Sequence, residues 1–143
     1  MSDLSPTTAA TAPAARRGAA VFAGGIAAVV VVSSVINGVI AAVALAIGAP
    51  DDFQPLKAGS FIFLTTVGVL IGAGGWATVR KAAKDPGALV RWLVPAVVAV
   101  SFVPDFLLWG EGGAKGVIAL LLMHVTVATT AVTAYRKVMP LSA

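Results

Sequence analysis

The chain has no cysteine and only one histidine. The first absence excludes disulfides, thiolate catalysis and cysteine metal sites. The second leaves no histidine cluster, so neither a metal nor another cofactor is expected. Charge is also scarce. Only 11% of the 143 residues are Asp, Glu, Lys or Arg, against 59% hydrophobic residues. A soluble domain has about a quarter charged residues, so this chain carries too little charge to coat a water-facing surface. Enzyme signatures are missing too. There is no HExxH helix and no Ser-His-Asp set. The "GAGG" stretch at Gly72–Gly75 lies inside an apolar block with no strand before it, so it is not a phosphate loop. These absences predict a protein that is not an enzyme.

What is present is apolar residues in long blocks, at a mean hydropathy of +0.97. The blocks cover about 18–49, 59–79, 92–109 and 116–135. A bilayer core of roughly 30 Å takes about 20 helical residues, so the last three blocks fit directly. The first is longer and must tilt, kink or extend beyond the membrane, but no polar turn divides it. It is also about twice as long as the apolar core of a cleaved signal, so an uncut span is expected. The fold class is therefore all-α: a polytopic membrane protein with four transmembrane helices in a compact bundle. Residues 1–17, rich in Ala, Thr, Ser and Pro, read as a disordered tail. Residues 18–138 form the transmembrane domain, and 139–143 a short second tail.

The sequence pI of about 10.0 does not imply nucleic acid, because the basic residues flank the apolar blocks. Arg16 and Arg17 precede the first block, and Arg80, Lys81, Lys84 and Arg91 separate the second from the third. Arg136 and Lys137 follow the fourth, while Lys57 and Lys115 stand alone in the other two loops. Eight of the ten basic residues thus share one side. The positive-inside rule makes that side cytoplasmic, with both termini in the cytoplasm of a bacterial plasma membrane. Trp92 and Trp109 mark opposite ends of the third block, as an aromatic belt predicts. Trp76 and Tyr135 lie near the cytoplasmic interface.

Helices in lipid associate through small residues and interhelical hydrogen bonds. Ser34, Gly38 and Ala42 form one stripe of the first block, with Ser33 and Asn37 alongside. Thr65, Gly68, Gly72 and Gly75 form a stripe of the second. These two stripes are the expected contact between helices 1 and 2. In the third block, Pro104 should kink or end the helix. Ser101 and Asp105 flank it and can bond the carbonyls it frees.

Three polar residues inside the blocks are candidates for chemistry: Asn37, Asp105 and His124. Intramembrane ionisable groups are functional hypotheses by default. Asn37 reads best as an interhelical hydrogen bond. Asp105 either caps the kink near the outer boundary or functions there. His124 lies roughly 12 Å inside the fourth block at 1.5 Å per residue. It heads the stripe His124, Ala128, Ala131, Tyr135, with Thr126, Thr129, Thr130 and Thr133 roughly opposite. The stripe predicts an inward-facing ring that holds either a structural hydrogen bond or a ligand or proton. An Asp105–His124 relay is conceivable, but their depths differ by several ångström, so direct contact is not expected.

Together, Asn37 mid-helix, "AIGAPDDF" after it, "GGWATVRK", "RWLVPAVVAVSFVPD" and "ALLLMHVTVA" resemble a known family. It is the actinobacterial membrane family catalogued as domain of unknown function 6069. The resemblance spans about residues 18–138, with the Met123-His124 pair its sharpest element. It implies four helices in an actinobacterial plasma membrane and no assigned activity. The chain departs from the family at Asp105, where a small residue or proline often stands, so no shared role is implied for that carboxylate. The leading expectation is a non-enzymatic accessory or structural membrane protein. It would bind a lipid or partner protein through the small-residue faces. The alternative is a small transporter, oligomeric and proton-linked, that uses Asp105 and His124.

Overall fold

The computed structural model describes residues 11–141. Four helices are present: α1 (Thr11–Ala46), α2 (Ala58–Ala82), α3 (Pro86–Leu107) and α4 (Trp109–Val138). A single 3-10 turn, Gln54–Leu56, interrupts the first loop, and there is no strand among the described residues. All four helices are long and apolar enough to cross a membrane. Large apolar side chains such as Val31, Val35, Ile71, Val100 and Leu107 face outward, as hydrocarbon solvation allows and water does not. This is a multi-pass membrane protein.

Local chemistry sets the helix ends. α1 stops at Gly48, whose φ of 96° lets the chain turn. Ala49 N–H donates to the Ala44 carbonyl and Gly48 N–H to that of Leu45, the two bonds of a Schellman ending. α3 starts where the Asp85 side chain accepts from Ala88 N at 2.9 Å, with Pro86 in the first turn. The helix therefore begins earlier than the expected 92, because capping chemistry and not apolarity sets its start. α4 is broken near its start by Gly113 at φ 57°.

The helices alternate up and down. Gly25 of α1 meets Val138 of α4 at one end, and Gly48 meets Lys115 at the other. The start of α1 and the end of α4 thus share the first end, called here the terminal end; the other is the loop end. The loop end is ordered. Phe53 is buried over the backbone of Gly112 and Gly116. Lys115 Nζ donates to the Ile47 carbonyl and Lys57 Nζ to that of Asp51.

The core divides into two clusters. Ile26, Val29, Val69, Ala73, Trp76, Tyr135 and their neighbours fill the terminal half. Ala41, Ala44, Phe53, Leu56, Phe61, Leu120, Met123 and their neighbours fill the loop half.

Four expectations are corrected. First, residues 11–17 belong to α1 and not to a disordered tail; residues 1–10 of that tail lie outside the described residues, as do 142–143 of the second. Pro13 is tolerated there because N–H groups of a first turn have no intrahelical acceptor. Second, the expected contact of α1 with α2 is present, with Asn37 bonded to Thr65, but α1 packs more extensively on α4. Its buried stripe is Ile26, Val29, Ser33, Asn37, Ala41 and Ala44, one residue off the expected Ser34–Gly38–Ala42. On α2 the buried stripe is Phe61, Thr65, Val69, Ala73 and Trp76. Gly38 does contact Phe61, but Gly72 packs on Tyr135 of α4, and nothing stands within 4 Å of a Cβ at Gly68 or Gly75. The reason is physical: partner-seeking hydroxyls and amides orient an Ala/Gly/Val helix more strongly than its glycines do. Third, Trp76 and Tyr135 form no lipid-facing belt. They are buried against each other, 5.7 Å between ring centroids. Trp76 Nε1 donates to the Met139 carbonyl at 2.9 Å, and Tyr135 OH donates to that of Val69. Fourth, α3 ends at Leu107, three residues past Pro104, but the polar groups that flank the proline bond differently than expected. Ser101 donates to the Val98 carbonyl, and Asp105 turns to His124 instead of to a freed carbonyl.

Candidate functional site: a polar-lined cavity between the helices

Membrane helices of similar composition hold polar side chains only where these find partners or line a cavity. Here the threonines find partners locally. Thr66, Thr78, Thr129, Thr130 and Thr133 each donate to the carbonyl four residues back. Ser33 and Thr130 also join α1 to α4, oxygen to oxygen at 2.6 Å.

Asn37, Asp105 and His124 behave differently. All three line one cavity of about 460 Å³, although they come from three different helices. Asn37 is 1% exposed. Its Nδ2 donates to Thr65 Oγ1 at 3.1 Å, and its Oδ1 has no hydrogen-bond partner. Asp105 is 5% exposed, and its Oδ2 likewise lacks a directed hydrogen bond. His124 is half-buried, with Phe102 edge-on to its ring.

The separation expected between Asp105 and His124 is corrected. Asp105 Oδ2 lies 3.0 Å from His124 Nδ1. Asp105 lies in the last turn of α3, opposite His124 about three turns after the Gly113 break of α4. Nδ1 is also 3.0 Å from the Leu120 carbonyl. A carbonyl accepts only, so Nδ1 carries a hydrogen and directs it along its own helix. The carboxylate then sits beside the ring in close electrostatic contact, off the N–H axis. In the neutral ring, Nε2 is left as an acceptor.

Apart from Thr65, the rest of the lining is apolar and includes Phe61, Leu64, Leu120 and Met123. Leu64, Gly68 and Pro104 are lining residues that are also exposed on the outer surface, so the cavity opens sideways between α2 and α3. Nothing stands within 4 Å of a Cβ built on Gly68, and its missing side chain is part of the opening. The roles of Thr65 and Gly68 at a cavity were not drawn from the sequence. The signal was there: a buried Asn on one helix and a Thr in the next block need each other. A second, larger groove of about 530 Å³ between α3 and α4 differs in kind. Its Thr129 and Thr133 hydroxyls already bond their own helix, which leaves no unpaired buried polar atom in its wall.

A family model described as "Family of unknown function (DUF6069)" matches residues 9–140. The match covers nearly the whole chain, which belongs to this family. No curated protein and no solved structure matches it.

Proposed function

We propose that this family member is a non-enzymatic membrane protein that binds a small amphipathic ligand in the cavity between its helices. One observation carries the reading. Asn37 and Asp105 are nine-tenths or more buried, line the same cavity, and each keeps an acceptor oxygen without a donor. A buried unsatisfied acceptor costs about 1–3 kcal/mol, and two in one cavity are best explained by a group that arrives from outside. The sideways opening suits a ligand that partitions into the bilayer, whether a lipid or a hydrophobic solute.

The proton-linked carrier is the second reading, favoured by the 3.0 Å contact of Asp105 with His124. A carboxylate and an imidazole at that distance can exchange or share a proton as a ligand enters or leaves. In both readings the protein sits in a bacterial plasma membrane with both termini cytoplasmic, because eight of ten basic residues flank the terminal end.

Identification of the molecules that co-purify with the native chain and with Gly68→Leu tests the reading. Leucine at 68 extends into the cavity without displacing backbone. The expected outcome is a ligand retained by the native chain and lost from a folded variant. Equal retention by both would refute the cavity as the binding site. A single cysteine at Asp52, in a chain with no other thiol, should label only from outside the cell.

A further inference from the structure

We infer that the cavity's ligand carries a primary ammonium group on an apolar tail. The inference rests on the cavity being a ligand site, and it follows from counting donors and acceptors. Asn37 gives one Nδ2 hydrogen to Thr65, and its Oδ1 has no partner. His124 gives its Nδ1 hydrogen to the Leu120 carbonyl, so its Nε2 offers a lone pair. Asp105 offers a carboxylate. The wall therefore presents three unpartnered acceptors from three helices, one of them a carboxylate, beside two uncommitted donor hydrogens, the second on Asn37 Nδ2 and that of the Thr65 hydroxyl.

That set discriminates among head groups. A phosphate or carboxylate would bring acceptor against acceptor and negative against negative. A hydroxyl brings one donor and no charge, and an amide no charge, to a wall whose unpartnered groups are mainly acceptors. A quaternary ammonium has the charge and no N–H. A primary ammonium has three donors and one positive charge, which matches the wall in number and sign. Asp105 and His124 are the only ionisable residues in the lining, so no second cation competes for the carboxylate. The apolar lining and the opening between α2 and α3 take the tail. Two sources share this chemistry: an aminophospholipid head group and a free alkylamine.

The chain's single histidine makes the test direct, because one imidazole gives one set of ring nitrogen resonances. The full chain, labelled at histidine, is placed in phosphatidylcholine nanodiscs. Its His124 ring signals are followed during titration with dodecylamine, dodecyltrimethylammonium or dodecanol. Saturation by dodecylamine at a concentration at least tenfold below the other two is expected. The response should vanish in Gly68→Leu, which leaves bilayer charging unchanged, and the amine preference should fall at least tenfold in Asp105→Asn. Discs containing phosphatidylethanolamine identify the source. A bound-state ring signal without added amine means the lipid head group; its absence there, with a response to dodecylamine, means a free amine. Equal saturation by all three probes, lost in Gly68→Leu, would overturn the ammonium assignment and leave the ligand cavity standing. No probe response above the Gly68→Leu background would overturn both. The probe comparison on the unmodified chain needs no variant to fold.

Discussion

The two halves of the bundle are built from the same residue types and treat polarity in opposite ways. In the terminal half, Trp76 Nε1, Tyr135 OH, Ser33 and Thr130 all have partners on other segments. In the loop half, Asn37 Oδ1 and Asp105 Oδ2 have none; the one other such atom among the described residues, Ser34 Oγ, lies between Ser33 and Asn37, where the two halves meet. Hydrocarbon offers no water to solvate a polar group, so satisfied groups act as rivets and unsatisfied ones mark a vacancy. The difference assigns the terminal half to holding the helices together and the loop half to holding something else.

The largest expected effect tests the rivets. Tyr135 is buried between α2 and α4, against Trp76 and over Gly72. Tyr135→Ala removes the ring and the bond to Val69, and should destabilise the bundle by about 3–5 kcal/mol, as aromatic-to-alanine changes in packed cores do. Reversible unfolding in mixed micelles measures it. A loss under about 1 kcal/mol, below the usual cavity range, would erase the contrast between the halves.

Close packing at the loop end comes next. A Cβ on Gly112 would lie 2.5 Å from Cζ of Phe53, with two further ring atoms within 2.9 Å. On Gly25 it would meet one Val138 methyl at 2.8 Å, the end of a side chain that can turn away. Gly112→Ala should therefore cost about 1–3 kcal/mol through overpacking, and Gly25→Ala less. The expected signature of Gly112→Ala is release of the Phe53 loop, read as faster labelling of a cysteine at Asp52. If Gly25→Ala is the worse of the two, the loop-end packing is looser than Phe53 suggests.

Much of this architecture was legible in the sequence, and what was not fails for identifiable reasons. Four apolar blocks gave four spans, because length and hydropathy dominate in lipid. Helix faces were misread by one residue, since a wheel of Ala, Gly and Val carries little apolar contrast. Asn37, Asp105 and His124 stood out as isolated polar groups, but their meeting in one cavity did not. It depends on where α3 ends and on the Gly113 break in α4, and neither is visible in hydropathy. The buried pairing of Trp76 and Tyr135 was hidden because an aromatic near a span's end reads equally as belt or core.

The third effect has the opposite sign from the first. Asp105→Leu removes an unpaired buried acceptor and leaves no orphan behind, because His124 keeps the Leu120 carbonyl. Replacing such a group with an apolar one is neutral or stabilising, so stability should hold or rise by about 1 kcal/mol. Ligand retention should be lost at the same time. A marked loss of stability would mean that the Asp105–His124 contact is a rivet like those at the terminal end.

The smallest effect separates two glycines that look identical in sequence. Gly68 and Gly72 form one GxxxG on α2, the motif expected to bring helices together. A Cβ at Gly68 meets nothing within 4 Å, whereas at Gly72 it comes within 3.1 Å of the Tyr135 oxygen. Gly68→Ala should therefore show only the helix-propensity gain of alanine, up to about 1 kcal/mol. At Gly72 the same gain is opposed by displacement of a hydroxyl that bonds the Val69 carbonyl, a bond worth about 0.5–1.5 kcal/mol, so Gly72→Ala should end near zero or slightly destabilised. The two unfolding curves measured side by side decide the point. Equal shifts would mean that both glycines face open space and that α2 and α4 are not riveted at Tyr135. A shift confined to Gly72 would locate the boundary between the two halves within one turn of α2.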